Sequence, residues 1–174
     1  MNIVLIGYRC TGKTIVGKGL AQRLNLDFID VDEYIERKAG SSIKDIVSRS
    51  GWDEFRRLEK EAIKRLSSMD RKVIAAGGGV VLDTHNVGNL KKNGVVILLE
   101  ASTQTILHRM RSDKKTEGQR PGLTGKDPYG EIEEVLKARR PFYKSAMDFS
   151  IDTTSKDVES IVNEIINQLE TKGD

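Results

Sequence analysis

The stretch Gly7-Tyr8-Arg9-Cys10-Thr11-Gly12-Lys13-Thr14 matches the pattern G-x-x-x-x-G-K-[ST] at every fixed position. An apolar run at residues 3–6 precedes it, and the segment Lys13–Leu24 has the spacing of an amphipathic helix. A strand, a glycine-bearing loop and a helix in this order are typical of a phosphate site, because the glycines let backbone N–H groups turn towards an anion and the helix N-terminus adds partial positive charge. We therefore predict a nucleotide-binding phosphate loop, with an ordinary glycine turn before a helix as the alternative.

Two side chains in this stretch suit a bound triphosphate. Lys13 can reach the β- and γ-phosphates, and the Thr14 hydroxyl can bind Mg²⁺. Cys10 stands at a position that the pattern leaves free, and we interpret it as incidental to binding. The residues predicted to bind the nucleotide are Gly7, Tyr8, Arg9, Cys10, Thr11, Gly12, Lys13, Thr14 and Ile15.

The composition indicates an ordinary soluble domain. Of 174 residues, 37% are hydrophobic and 32% charged, and the formal net charge is +3. This length suits one domain, residues 1–174, and the mild charge fits a protein that binds anions in a pocket better than one that coats nucleic acid. No apolar run is long enough to span a membrane, no secretory signal is recognisable, and one cysteine cannot form an intramolecular disulfide. We expect a cytoplasmic protein without nucleic-acid or membrane partners.

Short apolar segments alternate with amphipathic ones along the chain. The apolar segments show no clean two-residue alternation, which indicates a parallel sheet covered by helices on both faces, a three-layer α/β/α fold. The predicted strands are residues 2–6, 27–29, 72–75, 95–99 and 148–151. The predicted helices are residues 13–24, 32–39, 43–50, 53–69, 83–92, 103–110, 129–145 and 156–170, with start signals at Ser41-Ser42, Asp83, Ser102-Thr103 and Thr154-Ser155.

One segment, residues 111–126, breaks this pattern. It is charged, contains glycines and is poorly periodic. Its composition alone fits a solvated surface loop. In a nucleotide-binding α/β domain, a basic loop of this length is more typical of a lid that closes over phosphates, and we interpret it as a lid.

The residues that follow the second and third predicted strands are candidates for ligand binding, because ligands lie beyond the carboxyl ends of parallel strands. Asp30 and Asp32 follow the second strand, where one could hold Mg²⁺ through water and the other could orient a substrate hydroxyl. Alternatively, or in addition, Asp32 caps the next helix. Gly77-Gly78-Gly79 follow the third strand and suggest close approach of the backbone to a ligand, although a loose turn also fits.

Several arginines could bind an anionic substrate, but spacing does not select among them. Arg57 has Asp53 and Glu61 four residues away on either side, and Arg56 has Asp53 at i−3. Pairing on a helix surface can therefore explain both. The candidates are Arg56, Arg57, Arg120 and Arg139.

Together these motifs resemble the shikimate kinase family over nearly the whole chain. The phosphate loop alone is shared by many families, whereas the combination is much more specific. The matching features are the phosphate loop, Asp30-x-Asp32, Phe55-Arg56, the run from Val73 to Leu82 with its three glycines, Arg120-Pro121 and Arg139-x-Pro141-x-Tyr143. The resemblance implies a nucleoside-monophosphate-kinase-like fold with a five-stranded parallel sheet of order 2-3-1-4-5 and a mobile lid. It also implies transfer of the ATP γ-phosphate to the 3-hydroxyl of shikimate in aromatic amino-acid biosynthesis.

The resemblance assigns the acceptor site to a helical region at about residues 32–60 and to the strand ends. Asp32 would bind the shikimate hydroxyls and polarise the attacking one. Arg56 and Arg139 would bind the substrate carboxylate in the forked geometry that guanidinium groups favour. The backbone of Gly77-Gly78-Gly79 would complete the pocket.

For the nucleotide, the resemblance implies one Mg²⁺ per subunit, held by Thr14 and, through water, by Asp30. Arg120 would move in with the lid onto the transferring phosphate, and Arg109 would lie against the adenine. The implied catalytic residues are Asp32, Lys13 and Arg120, in an enzyme that binds shikimate and ATP as a monomer.

The lid departs from the family pattern. The family commonly has Arg-Pro-Leu, whereas this chain has Arg120-Pro121-Gly122-Leu123, and residues 116–119 resemble an insertion. Arg111 is therefore an alternative to Arg109 at the adenine.

Three other functions share part of these features. Another kinase of the same fold, for gluconate or a nucleoside monophosphate, would share the loop and the lid, so discrimination depends on Arg56, Arg139 and the three glycines, which suit a small carboxylated polyol. A GTP-dependent switch would carry N-K-x-D, which is absent from the sequence. A nucleic-acid modifier is disfavoured by the modest charge and the lack of aromatic clusters.

Overall fold

A computed structural model describes residues 1–112 and 127–171. A five-stranded parallel sheet of order β2-β3-β1-β4-β5 lies at its centre, as the resemblance predicted. The strands are β1 Asn2–Ile6, β2 Asp27–Asp30, β3 Lys72–Ala75, β4 Gly94–Glu100 and β5 Phe149–Asp152. Predicted and observed strand bounds agree within one residue.

The helices pack on both faces of this sheet. They are α1 Lys13–Leu24, α2 Val31–Ala39, α3 Ile43–Ser67, α4 Thr84–Lys92, α5 Thr103–Ser112, α6 Pro128–Ala146 and α7 Val158–Thr171, with a 3₁₀ turn at Val80–Leu82. Among the described residues, no helix is both long and apolar enough to cross a membrane.

The side chains of β1 alternate between two cores. Val4 and Ile6 pack in the core that includes residues of α2, α3, α4 and α6, whereas Ile3 and Leu5 pack in the core that includes residues of α1 and α7. All four are buried, and burial of such a side chain stabilises a fold by roughly 1.5–3 kcal/mol. The sheet is therefore covered on both faces, which confirms the three-layer prediction.

Three predicted helix starts are confirmed by capping hydrogen bonds. The side chains of Ser42, Asp83 and Ser102 accept from backbone N–H groups in the first turns of α3, α4 and α5. The start predicted at Thr154-Ser155 is wrong. Asp157 accepts from the backbone N–H of Ser160 at 2.8 Å, so the last helix begins at Val158.

One predicted boundary lies at a kink. The sequence predicted separate helices at residues 43–50 and 53–69, whereas α3 runs from Ile43 to Ser67. Gly51 has φ 79° and ψ 174° within it, a conformation that glycine adopts readily. The predicted break is therefore a bend at Gly51 between two helical segments.

Only the start of the predicted lid falls on described residues. Arg111 and Ser112 form the end of α5. Residues 113–126, including Arg120, lie outside the described residues. The lid, like the single-domain assignment, stays a prediction.

Candidate active site

The phosphate loop joins β1 to α1 at the carboxyl edge of the sheet. Gly7 has φ 141°, and a Cβ there would collide with the carbonyl oxygen of Leu99 on β4. Gly12 has φ 103° and directly precedes the first turn of α1. Both conformations favour glycine, so the fixed glycines of the motif are required by the backbone.

The Lys13 side chain crosses back over this loop. Its Nζ donates to the carbonyl oxygens of Gly7 and Tyr8, both at 2.8 Å. Thr11, which is buried, donates from its hydroxyl to the Tyr8 carbonyl at 2.8 Å. The side chain of Ile15 is exposed in the first turn of α1. Hydrogen bonds within the loop thus hold its conformation, and the Lys13 ammonium group makes two of them.

Thr14 and Asp30 bring two hard oxygen atoms together. Thr14 Oγ1 donates to Asp30 Oδ2 at 2.9 Å. Mg²⁺ is usually held by one or two such groups together with oxygen atoms of a bound phosphate. The donor set therefore fits Mg²⁺, and among the described residues no group of three His, Cys, Asp or Glu side chains could hold a metal instead.

Asp30, not Asp32, caps α2, which corrects one reading of the D-x-D motif. Asp30 Oδ1 accepts from the backbone N–H groups of Asp32 at 3.0 Å and Glu33 at 3.4 Å. Asp32 lies in the first turn of α2 and is half-buried. Asp30 thus contacts the phosphate loop and holds the start of α2 at once.

Arg56 forms an ion pair with a buried carboxylate that was not predicted from the sequence. Its Nη1 donates to Glu59 Oε2 at 2.6 Å, and Glu59 is only 1% exposed. The guanidinium also lies 5.8 Å from the Trp52 ring and 5.2 Å from the Phe55 ring. Asp53, the i−3 residue considered from the sequence, is exposed. The available signal was that Glu59 shares the buried face of α3 with Phe55.

The adjacent Arg57 differs from Arg56 in its surroundings. It is exposed and forms ion pairs with Glu54 at 2.7 Å and Glu61 at 2.5 Å. The sequence predicted that Arg57 pairs with Glu61 and Asp53. The pair with Glu61 is confirmed, whereas the second partner is Glu54 and not Asp53. The hydrogen bond from Arg57 lowers the pKa of Glu54 below its usual value. Arg57 is therefore a helix-surface residue.

The three glycines lie between the phosphate loop and two arginines. All three are buried. A Cβ at Gly78 would lie 3.5 Å from Arg139 Nη1 and 3.5 Å from the carbonyl oxygen of Gly7, and one at Gly79 would lie 2.7 Å from Arg56 Cζ. The backbone therefore comes close to both guanidinium groups, and the loose-turn alternative does not apply.

Helix α6 is fixed to this turn. Tyr143 Oη donates to the Gly78 carbonyl oxygen at 2.5 Å, and Tyr143 is buried. Since Arg139 lies one turn before Tyr143, this hydrogen bond sets the position of Arg139 as well. The R-x-P-x-Y motif thus supplies a charged group, Arg139, and a residue that anchors α6 to the glycine turn, Tyr143.

Of the two arginines considered for the adenine, Arg109 is the one beside the phosphate loop. Its Nη1 donates to the Cys10 carbonyl oxygen at 3.2 Å, and its Nη2 donates to the Thr153 carbonyl oxygen at 2.7 Å. Arg111 is exposed in the last turn of α5. Contact with adenine itself stays a prediction for Arg109.

Comparison with known proteins adds a consistent result. The family model described as Shikimate kinase matches residues 9–170. A shikimate kinase of Caldanaerobacter subterraneus subsp. tengcongensis is 44% identical over 165 residues, which cover 95% of this chain and 94% of the relative. One of Syntrophus aciditrophicus is 43% identical, and the match covers 98% of this chain and 92% of the relative. Among solved structures, shikimate kinase from Acinetobacter baumannii in complex with shikimate matches with a TM-score of 0.91 at 32% identity, covering 98% of this chain and 93% of that one.

Proposed function

The chain belongs to the shikimate kinase family, and we propose that it transfers the γ-phosphate of MgATP to the 3-hydroxyl of shikimate, giving shikimate 3-phosphate and ADP. The observation that carries this proposal is the placement of Arg56 and Arg139 against Gly78 and Gly79, directly beside the phosphate loop. This arrangement offers two guanidinium groups for a carboxylate at the edge of a phosphate-transfer site. The solved relative from Acinetobacter baumannii contains shikimate.

Nucleotide binding is assigned to the phosphate loop and to the residues beside it. The backbone N–H groups of the loop and the N-terminus of α1 would bind the phosphates, with the Lys13 ammonium beside the β- and γ-phosphates. Thr14 and Asp30 would hold Mg²⁺, which neutralises the charge that develops on the phosphate oxygens when bound. Arg109 would contact the adenine, and Arg120 would approach the γ-phosphate.

The acceptor half belongs to the strand ends and α3. Arg56 and Arg139 would bind the shikimate carboxylate, and the Gly77-Gly78-Gly79 backbone would form one wall of the pocket. Asp32 would accept the proton of the 3-hydroxyl as it attacks the γ-phosphate. Positioning and charge neutralisation supply most of the catalysis in phosphoryl transfer, so a strong nucleophile is not required.

We further propose that the enzyme acts as a monomer in the cytoplasm. Every proposed site residue on the described segments comes from one sheet and its own helices, which supports a site complete within one subunit. The presence of a single cysteine is consistent with a reducing compartment.

The test of this proposal is ADP formation from MgATP in the presence of shikimate, gluconate, AMP or no acceptor. Saturable ADP formation with shikimate alone is the expected result. ADP formed with gluconate or AMP instead would overturn the assignment of the two arginines. Nucleotide binding without ADP formation in any of the four reactions would overturn the transfer reaction and favour a nucleotide-dependent switch.

A further inference from the structure

A nearly buried ion pair attaches the phosphate loop to α6. Arg9 stands at a position that the loop motif leaves free, and its Nη2 donates to Glu131 Oε1 at 2.5 Å. The two side chains are 17% and 5% exposed. Glu131 lies in the first turn of α6, where the helix dipole favours a carboxylate. Removal of one partner from such a pair leaves an uncompensated charge, so the contact strongly favours one position of Arg9.

The preceding residue is attached to the same helix by apolar contact. Tyr8 is buried in a cluster with Ile106 of α5 and with Ile132 and Val135 of α6. Burial raises the pKa of the Tyr8 phenol above its usual value, so this side chain stays neutral. The guanidinium of Arg9 lies 5.6 Å from the centre of the Tyr8 ring. Two consecutive loop residues are therefore held against α6.

The loop needs such attachment because its backbone is not in a relaxed conformation. Cys10 follows Arg9 and has φ 60°, a left-handed conformation that few residues other than glycine adopt. Such a conformation persists only where the surrounding contacts enforce it. On one side Arg9 is held by Glu131, and on the other Arg109 donates to the Cys10 carbonyl oxygen at 3.2 Å.

We propose that Glu131 is a positioning residue for nucleotide binding, which acts by holding Arg9 and thereby keeps the phosphate loop in its binding conformation. This role rests on the proposed binding of MgATP at the loop. In this role Glu131 acts through Arg9 and not by contact with the nucleotide. Without the pair, the loop samples other conformations, and the cost of ordering it is added to nucleotide binding.

The test is calorimetric titration of MgADP into the wild-type protein and into Glu131→Gln, Arg9→Gln and the double variant. We expect Glu131→Gln to weaken MgADP binding about tenfold, the effect of losing one well-defined constraint. Arg9→Gln should have a similar effect, and the double variant should be no weaker than the weaker single variant, because the two residues act as one unit. Glu164→Gln, which breaks the partly exposed ion pair between Glu164 of α7 and Lys156 just before that helix, is the matched control and should bind MgADP as the wild type does.

Three further measurements separate positioning from a general structural defect. Thermal unfolding shows whether each variant is folded, and Glu131→Asp, which keeps the charge, should recover part of the affinity. If Glu131→Gln does not fold, Arg9→Gln and Glu131→Asp carry the same test. The KM for shikimate should change by less than about twofold while MgADP affinity falls, because Arg56 and Arg139, the proposed ligands of the shikimate carboxylate, are retained in these variants.

Several results would overturn the inference. They are unchanged MgADP affinity in folded Glu131→Gln, additive losses in the double variant, or a parallel loss of shikimate affinity that indicates a displaced α6. Each can occur while the wild-type protein still phosphorylates shikimate. Failure of the wild type to bind nucleotide or to phosphorylate shikimate would instead count against the proposed function.

Discussion

The guanidinium of Arg56 rests directly on the backbone of Gly79, so closely that a Cβ at Gly79 would lie 2.7 Å from Arg56 Cζ. No side chain larger than hydrogen fits at this position without moving Arg56. Glu59 and two aromatic rings contact other parts of Arg56, whose side chain is 32% exposed and therefore accessible to a ligand. The close approach of Arg56 thus explains why residue 79 is a glycine, whereas Gly78 borders both Arg139 and the phosphate loop.

Replacement of Gly79 by alanine should therefore impair substrate binding without unfolding the protein. Gly79 has φ −103°, which alanine adopts readily, and the atom displaced is the flexible end of a side chain. We expect the KM for shikimate to rise about tenfold, while MgADP affinity is unchanged. Gly88→Ala, in an open position on α4, is the matched control and should leave both unchanged. A wild-type KM in Gly79→Ala would show that the position of Arg56 is not critical.

Arg56→Ala and Arg139→Ala should each mainly weaken shikimate binding. Loss of a hydrogen bond to a charged group costs about 1.5–3 kcal/mol, which corresponds to roughly 10- to 150-fold in affinity. Arg57→Ala is the control for Arg56→Ala, because Arg57 is exposed on the same helix and paired only on the surface. Equilibrium binding of shikimate measures the effect. Unchanged affinity in either variant would remove that arginine from the pocket.

Asp32→Asn should retain MgADP binding and lose most turnover. The amide cannot accept the hydroxyl proton, and general-base catalysis typically contributes about 10²–10⁴-fold. We therefore expect kcat to fall at least about 100-fold. Steady-state kinetics and nucleotide titration check this, with Glu33→Gln as the control because the Glu33 side chain is exposed in the same turn. Near-normal turnover in Asp32→Asn would exclude Asp32 as the base.

Asp83 should contribute stability that depends on pH. It caps α4 through the backbone N–H groups of His85 and Asn86, and the hydrogen bond from Lys60 holds the pKa of its carboxyl below the usual 3.8. Because the folded pKa is lowered, this stabilisation is present above the unfolded pKa and is lost as the pH falls through the folded value. Asp83→Ala should lower the free energy of unfolding by about 1 kcal/mol near neutral pH.

Urea unfolding of the wild type and Asp83→Ala between pH 7 and about pH 3 checks both parts of this prediction. The difference between the two proteins should shrink on acidification. Asp83→Asn keeps a capping oxygen without the charge and should therefore lose less stability than Asp83→Ala at neutral pH. A difference that grows on acidification would contradict the lowered pKa.

The sequence predicted the elements well because local signals were strong. The phosphate loop, the strands and three helix caps all depend on residues close together in the chain. The sheet order came only from the family resemblance, since the apolar segments alone do not indicate which strands are adjacent in the sheet. Gly51 itself indicated the break in the helix. That this break is a bend within α3 depends on how the two helical segments pack.

Contacts that depend on tertiary packing were not predicted from the sequence. Either carboxylate of Asp30-x-Asp32 could cap a helix, and Asp30 is the cap because α2 begins at Val31. Glu59 was one of several acidic residues near Arg56, and only its burial distinguishes it from Asp53. Likewise, Arg9 and Glu131 are 122 positions apart, and no local pattern connects them.

The most direct measurement of the proposed reaction is identification of the product by mass spectrometry and ³¹P NMR after incubation with MgATP and shikimate. We expect a shikimate phosphate ester formed in equal amount to ADP, with the phosphorus coupled to the proton at carbon 3. Release of inorganic phosphate in place of the ester, or an ester at another hydroxyl, would contradict the placement of the acceptor by Arg56, Arg139 and Asp32.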